Sequence, residues 1–291
     1  MTSKECPKID FCARGLYVTI RDVKKMDESK KYAVLLCVRN GFLTIERALE
    51  SLLMQVHPPE VIVVVDDGST NGTPLILQQF QGQMIIITRP DRGFSALGSY
   101  FLAGTYNVGL NVLALFDWDY LLIAAEDTFF PVEYAQLLLQ EITPLDGVVG
   151  GTPFGIQYNP DYPSGAGRFI SRVVFRELGF QYPYTYAWED SVLFCAQYLG
   201  LQVRKSELVF FTRPLRDNFT RFQGWGRAMK DAHYYWLYAL GRIGKIISQK
   251  KFRQGLAMLW GYIRQPRLPH YPVYAYVLNS MQKQHVRRLL R

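Results

Sequence analysis

The chain has 291 residues, 49% of them hydrophobic and 20% charged, enough for one large core or a core plus an appendage. No apolar run reaches the roughly 18 residues that span a bilayer, and the polar, mixed-charge start from Met1 to Asp10 does not read as a signal peptide. The net charge of +8 is unevenly placed: Arg242 to Arg291 carries eleven Lys and Arg and no acid, which leaves 22 basic against 25 acidic residues elsewhere.

The basic character therefore belongs to the tail, which suits anionic lipid, nucleic acid or a phosphorylated substrate, or simply a solvated helical face. Cys6, Cys12, Cys37 and Cys195 show no paired metal spacing and read as reduced thiols of a cytosolic protein.

Residues 1–31 read as an N-terminal extension with one β-like patch, Leu16 to Ile20. Tyr32 to Leu36 is the first buried strand, ending in the loop Cys37-Val38-Arg39-Asn40-Gly41. Ile45, Ala48, Leu49, Leu52, Leu53 and Val56 then recur at helical spacing, and Pro58-Pro59 closes that helix. Val61 to Val65 is a continuous β-branched run stopped by Asp66-Asp67-Gly68-Ser69-Thr70. Such a run reads as a strand buried on both faces, in a parallel sheet covered by helices. Strand, helix and strand within about 35 residues make a right-handed βαβ unit.

The alternation continues with a helix near 73–81, a strand from Met84 to Thr88 and a helix near 99–112. A strand from Tyr120 to Ala124 follows, ending in Ala125-Glu126-Asp127, and Pro131 opens a helix to Glu141. Val148-Val149 begins another β segment. Beyond it, Tyr158 to Gly167 reads as a loop and Phe169 to Leu178 as a helix. Glu189-Asp190 precedes an amphipathic helix, and Leu201 to Arg204 and Leu208 to Thr212 read as two short strands. From about 217 the chain is helical, aromatic and basic.

Three acidic clusters recur at equivalent places: Asp66-Asp67 and Glu126-Asp127 at strand ends, and Glu189-Asp190 at a helix start. In open α/β sheets, ligands bind at the carboxyl ends of the strands. Carboxylates there suit a hard cation carrying a diphosphate, and a further carboxylate suits proton removal from a hydroxyl. Singly, each cluster reads first as a turn or a helix cap; three on one α/β scaffold call for a shared explanation. Asp117-Trp118-Asp119 precedes its strand and so belongs at the opposite end.

Val38-Arg39-Asn40, Ala48 to Gln55 and Val65 to Thr73 together resemble the nucleotide-binding half of family 2 glycosyltransferases with the GT-A fold. Asn107-Val108-Gly109 is similar to that family's Arg-Asn-x-Gly segment, with Tyr106 at the arginine place. Glu126-Asp127 falls at its Asp-x-Asp motif and Glu189-Asp190 at its base motif.

The resemblance implies a mostly parallel, Rossmann-like α/β sheet sandwiched by helices, with a helical C-terminal extension. Residues 32–215 would be the transferase domain, with 32–130 as its nucleotide half and 131–215 as its acceptor half. Residues 216–291 would form a basic helical region.

Carried over to these positions, Val38, Arg39 and Asn40 would border the nucleotide base. Asp67 would accept the N–H of uracil or thymine, supported by Asp66. Asn107, Glu126 and Arg213 are further donor-site candidates. Asp127 would bind Mn or Mg, and Asp190, beside Glu189, would be the general base.

The departures are Ala125, which removes the first carboxylate of the metal motif, and Phe211-Thr212-Arg213-Pro214, which lacks a late metal-binding His. Arg213 is a candidate replacement for the cation's role. Arg168 and Arg172 read as surface residues, with an approach to phosphate as the alternative; Arg221 and Arg227 are diphosphate candidates, and Tyr182, Tyr184, Tyr186 and Trp188 are either an acceptor wall or packing under a loop.

The expected partners are a nucleotide-diphosphate sugar and a glycan or lipid-linked acceptor of cell-envelope polysaccharide synthesis. The expected location is the cytoplasm or the inner face of the membrane. In the tail, Trp236, Leu240, Ile243, Ile246 and Ile247 share one helical face, and Phe252, Leu256, Leu259, Trp260 and Ile263 another. Beside Lys250, Lys251 and Arg253 they suit a membrane interface, packing on the domain, or a second subunit of a homo-oligomer. Nucleic acid is not among the expected partners. A sugar nucleotidyltransferase is disfavoured by the lack of a Gly-rich basic loop after the first strand, and a non-catalytic sugar-nucleotide binder is the other alternative.

Overall fold

The computed structural model describes residues 30–156, 162–213, 219–266 and 273–289. The expected patch Leu16–Ile20, the tip of the 158–167 loop, Cys6, Cys12, Pro214 and His270 lie outside the described residues. Among the described residues seven strands form one sheet: β1 (Tyr32–Val38), β2 (Val61–Asp66), β3 (Ile85–Thr88), β4 (Tyr120–Ala125), β5 (Asp146–Pro153), β6 (Arg168–Ser171) and β7 (Gln202–Phe210). Their order is β3-β2-β1-β4-β6-β5-β7. All pairs are parallel except those of β6 with β4 and with β5.

The continuous apolar runs follow from burial on both faces. Along β1 and β2, Leu35, Cys37, Val63 and Val65 enter one core, while Val34, Leu36, Ile62 and Val64 enter the other. The first core is covered by α3 (Phe101–Leu113), α5 (Arg172–Glu177) and α6 (Ser191–Tyr198). The second is covered by α1 (Ile45–Leu53), α2 (Thr73–Gln79) and α4 (Tyr134–Glu141).

The register decides where the site lies. Val38 pairs with Asp66 across β1 and β2, and Cys37 with Ala125 across β1 and β4. The carboxyl ends of three neighbouring strands therefore finish level at one edge.

Three expectations need correction. Phe169 to Leu178 is not one helix: β6 precedes α5. Phe169 enters one core and Ile170 the other, which requires extended backbone, and Ser171 then caps α5 by accepting the Val173 N–H at 3.3 Å. The two short strands after residue 200 are a single strand, β7, whose pairing with β5 carries register shifts. Val56 is 56% exposed rather than on the buried helical face, because α1 ends at Leu53.

The tail forms α7 (Phe219–Asp231), α8 (Trp236–Ser248), α9 (Phe252–Arg264) and α10 (Val273–Leu289). Phe222, Met229, Ala239, Ile243, Ala257 and Met258 make a small core of their own among α7, α8 and α9. The α7–α9 crossing brings backbone against backbone. A Cβ at Gly226 would lie 1.9 Å from the Met258 carbonyl oxygen, and one at Gly261 would lie 2.0 Å from that of Gln223. Leu278 of α10 joins the first sheet core, which ties the tail to the domain.

Candidate active site

The first corner is the turn after β2. Asp66 is fully buried, and its Oδ1 accepts the Ser69 N–H at 2.9 Å. Its Oδ2 is buried without a hydrogen-bond partner among the described residues. The Asp67 N–H donates to the Val38 carbonyl at 2.8 Å, which joins the two strand ends. Gly68 adopts φ +73, and a Cβ there would sit 2.5 Å from the Asp91 Cα, so only glycine closes this turn.

Arg39 and Asn40 brace the turn. Arg39 Nη1 donates to the carbonyls of Asp67 and Gly68 at 2.5 and 2.8 Å, and Nη2 donates to Asp91 at 2.6 Å. The Asn40 N–H donates to Ser69 Oγ and its Oδ1 accepts the Thr70 N–H, both at 2.8 Å. Asn40 takes a left-handed φ of 56, which its residue type tolerates.

Sequence reasoning missed what sits on Asp67. Arg89 Nη1 donates to Asp67 Oδ1 at 3.0 Å, and Arg92 Nη2 donates to the same oxygen. Both guanidiniums also reach Thr105 Oγ1, at 2.8 and 3.2 Å. The expected base acceptor is thus a buried carboxylate shared by two arginines. The available signal was Arg89-Pro90-Asp91-Arg92 directly after β3, at the same sheet edge.

The second corner lies after β4. Asp127 Oδ2 accepts from Arg213 Nε at 3.0 Å, and Thr212 Oγ1 donates to its Oδ1 at 3.4 Å. Glu126 Oε1 is 3.7 Å from Arg213 Nη2. Burial, then the neighbouring Asp127, raises the Glu126 pKa. Gly41 packs against Glu126, where a Cβ would lie 2.9 Å from its Cγ.

A hard divalent cation that carries a diphosphate takes one or two carboxylates and completes its shell with phosphate oxygens and water; here both carboxylates converge on one guanidinium. Among the described residues no group of three or more His, Cys, Asp or Glu is arranged to hold a metal ion. Glu126 and Asp127 are the carboxylates that would hold the expected Mn or Mg beside a diphosphate; in this arrangement they face the Arg213 guanidinium instead.

The third corner begins α6. The Asp190 side chain makes no capping hydrogen bond. Its backbone carbonyl instead accepts from Leu193 and Phe194 at 3.0 and 3.1 Å. Burial, reinforced by Glu189 and opposed by Arg168 and Arg242, pushes its pKa up to about 6. Glu189 Oε1 accepts from Arg168 Nη2 at 3.3 Å, and the same nitrogen donates to the Glu189 carbonyl at 3.1 Å.

Arg168 was expected at the surface; it is 2% exposed and braces the base motif from within the sheet. Arg172 stacks over Trp118 and donates to the Phe116 carbonyl, away from this edge.

Asn107 serves the loop before the base. Its Nδ2 donates to the Tyr182 carbonyl at 2.9 Å and its Oδ1 accepts the Tyr182 N–H at 2.7 Å. The expected donor-site residue is therefore a buried bracket for the 180–188 loop. Tyr106, Tyr182 and Trp188 pack on one another beside it, while Tyr184 is exposed.

Asp231 Oδ2 accepts the Tyr186 N–H at 2.7 Å, and its Oδ1 accepts from Gln265 Nε2 at 2.8 Å. Arg227 Nη1 donates to the Tyr186 hydroxyl at 2.6 Å, and Arg221 stacks over Trp225. Both arginines are engaged with aromatic rings. Asp117 and Asp119 bind Lys31 at the amino end of β4, opposite the site.

The profile of the glycosyl transferase family 2 domain matches residues 33–207, more than half of the chain. The chain belongs to glycosyl transferase family 2. No curated protein sequence matches it.

Among solved structures, it is similar to the mannosyltransferase PcManGT from Pyrobaculum calidifontis in complex with GDP-Man and Mn2+. The TM-score is 0.55 at 16% identity, covering 89% of this chain and 81% of that one. Glucosyl-3-phosphoglycerate synthase from Mycobacterium tuberculosis, with Mn2+, UDP and glucosyl-3-phosphoglycerate, gives a TM-score of 0.51 at 15% identity, covering 75% and 85%. Against the UDP complex of S. aureus TarS 1-349 the TM-score is 0.48 at 14% identity, covering 68% of this chain and 64% of that one. At these identities the mannosyltransferase and the phosphoglycerate synthase show the shared GT-A fold alone. Within this family 2 chain, the three corners lie on the β1–β4 ends and the α6 start of that fold.

Proposed function

We propose that this chain moves a sugar from a UDP- or dTDP-linked donor to a hydroxyl of a glycan or lipid-linked acceptor, with inversion. Residues 32–215 act as the transferase domain and 216–291 as its basic helical region. The observation that carries the reading is Asp190, a carboxyl at the head of α6 with its pKa pushed up to about 6. A base poised near neutral pH is ionised yet basic enough to take a hydroxyl proton.

In this step the acceptor O–H gives its proton to Asp190. The oxygen forms a bond to the anomeric carbon, and the bond from that carbon to the diphosphate oxygen breaks. The electron pair leaves with the nucleoside diphosphate. Arg213 meets the departing diphosphate, a task suited to its planar fork of donors. Val38, Arg39 and Asn40, with the Asp66–Asp67 turn, form the base-binding edge, and the arginines on Asp67 make that edge rigid before the donor arrives.

The solved neighbours support a nucleotide-sugar donor, since one holds GDP-Man and another UDP. We place the enzyme at the cytoplasmic face of a membrane, in cell-envelope polysaccharide assembly. The basic tail and a lipid-linked acceptor give that placement its sense.

Thermal-shift measurement with a panel of sugar nucleotides, with and without Mn2+, tests the donor reading. A ligand that binds only the folded state raises the melting temperature. A sugar nucleotide that stabilises the chain and is then consumed with acceptor supports transfer. The Asp127–Arg213 pair favours one second reading, a nucleotide-sugar-binding protein without turnover. Binding without consumption of any donor would support that reading instead.

A further inference from the structure

Helix α9 shows an outer face that the fold leaves uncovered. Phe252, Leu256, Trp260 and Ile263 are between 46% and 65% exposed. At 100° per residue they fall within an arc of about 80°. The opposite side of the helix, Ala257, Met258 and Gly261, is buried against α7 and α8. Four large apolar side chains in one exposed stripe are not needed for the bundle's own core.

One rim of this stripe is cationic. Arg253 and Arg264 lie next to it on the helix circumference, and Lys250 and Lys251 precede its first turn. Arg264 lies over the Trp260 ring at 4.0 Å, an aromatic body with a charged cap. From Arg242 onward the sequence contains no acid to offset these charges. No helix among the described residues is long and apolar enough to cross a membrane. An apolar stripe edged by Lys and Arg has the chemistry of a helix lying in an anionic lipid interface.

We infer that the outer face of α9 docks this chain on an anionic lipid surface, with Phe252, Leu256, Trp260 and Ile263 entering the acyl boundary and Arg253 and Arg264 meeting headgroup phosphates. The surface is mechanically joined to the site. Gln265, just past α9, binds Asp231, and Asp231 holds the Tyr186 N–H in the loop that leads to Asp190. Docking thus presents the acceptor loop to whatever the lipid surface carries. This deepens the proposed function by naming where its lipid-linked acceptor is met, and only that last link rests on the transferase reading.

The test uses the full chain and co-sedimentation with phosphatidylcholine vesicles, with and without phosphatidylglycerol. Wild type is expected to partition onto the anionic vesicles and to be released by salt. Leu256→Ser with Ile263→Ser removes exposed side chains only, and is expected to cut partitioning about tenfold or more. Arg253→Gln with Arg264→Gln is expected to lose about fivefold per charge, on anionic vesicles alone. Unchanged melting temperatures and UDP shifts confirm that the variants are folded.

Equal partitioning of wild type and both variants would overturn the inference. So would a dimer in solution that the Leu256→Ser, Ile263→Ser variant dissociates, since a second copy would then cover the face. Vesicle binding without any sugar-nucleotide binding would uphold the docking face and remove the transferase reading; nucleotide binding without vesicle binding would do the reverse.

Discussion

Replacing Asp190 by Asn should make this protein more stable and end its chemistry. The folded state holds the Asp190 pKa at about 6, against an ordinary value of 3.8. A difference of about two units, at 1.36 kcal/mol each, means that ionising this carboxyl in the fold costs about 3 kcal/mol. A raised pKa means that the folded state binds the proton more tightly than the unfolded chain. The group's stabilising contribution is therefore full below about pH 3.8 and is lost as pH rises through about 6.

The isosteric amide removes the ionisation. Asp190→Asn should accordingly gain about 3 kcal/mol at pH 8 and well under 1 kcal/mol near pH 4. Urea unfolding of both proteins across that range measures the difference. Donor turnover at pH 8 should fall by about 10²–10⁴-fold, the ordinary worth of a general base. A stability gain that did not shrink on acidification would refute the electrostatic argument, and turnover surviving in the amide variant would refute the catalytic one.

Other substitutions test the remaining corners. Glu189→Gln removes the second cause that raises Asp190, so the acidic limb of the rate–pH profile should move below the wild-type value near 6. Arg213→Ala should weaken UDP binding about tenfold in the presence of a chelator, read by calorimetry, while Mn2+ changes wild-type affinity little. Strong Mn2+ dependence in wild type would reject the guanidinium's role. Asp127→Ala, which frees that arginine, should also lower nucleotide affinity, whereas Asp117→Ala at the opposite sheet end should leave it intact. Gly226→Val pushes a side chain into the Met258 backbone, and should destabilise the tail bundle by about 2 kcal/mol or more in thermal unfolding.

The frame of the fold was legible because its signals are local. A β-branched run such as Val61–Val65 announces a strand buried on both faces, and the turn chemistry of Asp66 to Thr70 marks its end. The order of strand-end acids then brought Asp67, Asp127 and Asp190 onto one scaffold and set Asp117 apart. What these residues touch was decided across the chain. Arg89 and Arg92 reach Asp67 only because β3 lies beside β2, and Arg213 reaches Asp127 across 86 positions. Asn107 carried a donor-site motif, yet spends its amide on Tyr182, 75 residues away. Phe169 and Ile170 became a strand because two cores claimed them from opposite faces. Periodicity and turn residues describe how a chain runs, because they act between near neighbours. Which charge meets which carboxylate depends on strand order and register, and those exist only once the sheet has formed.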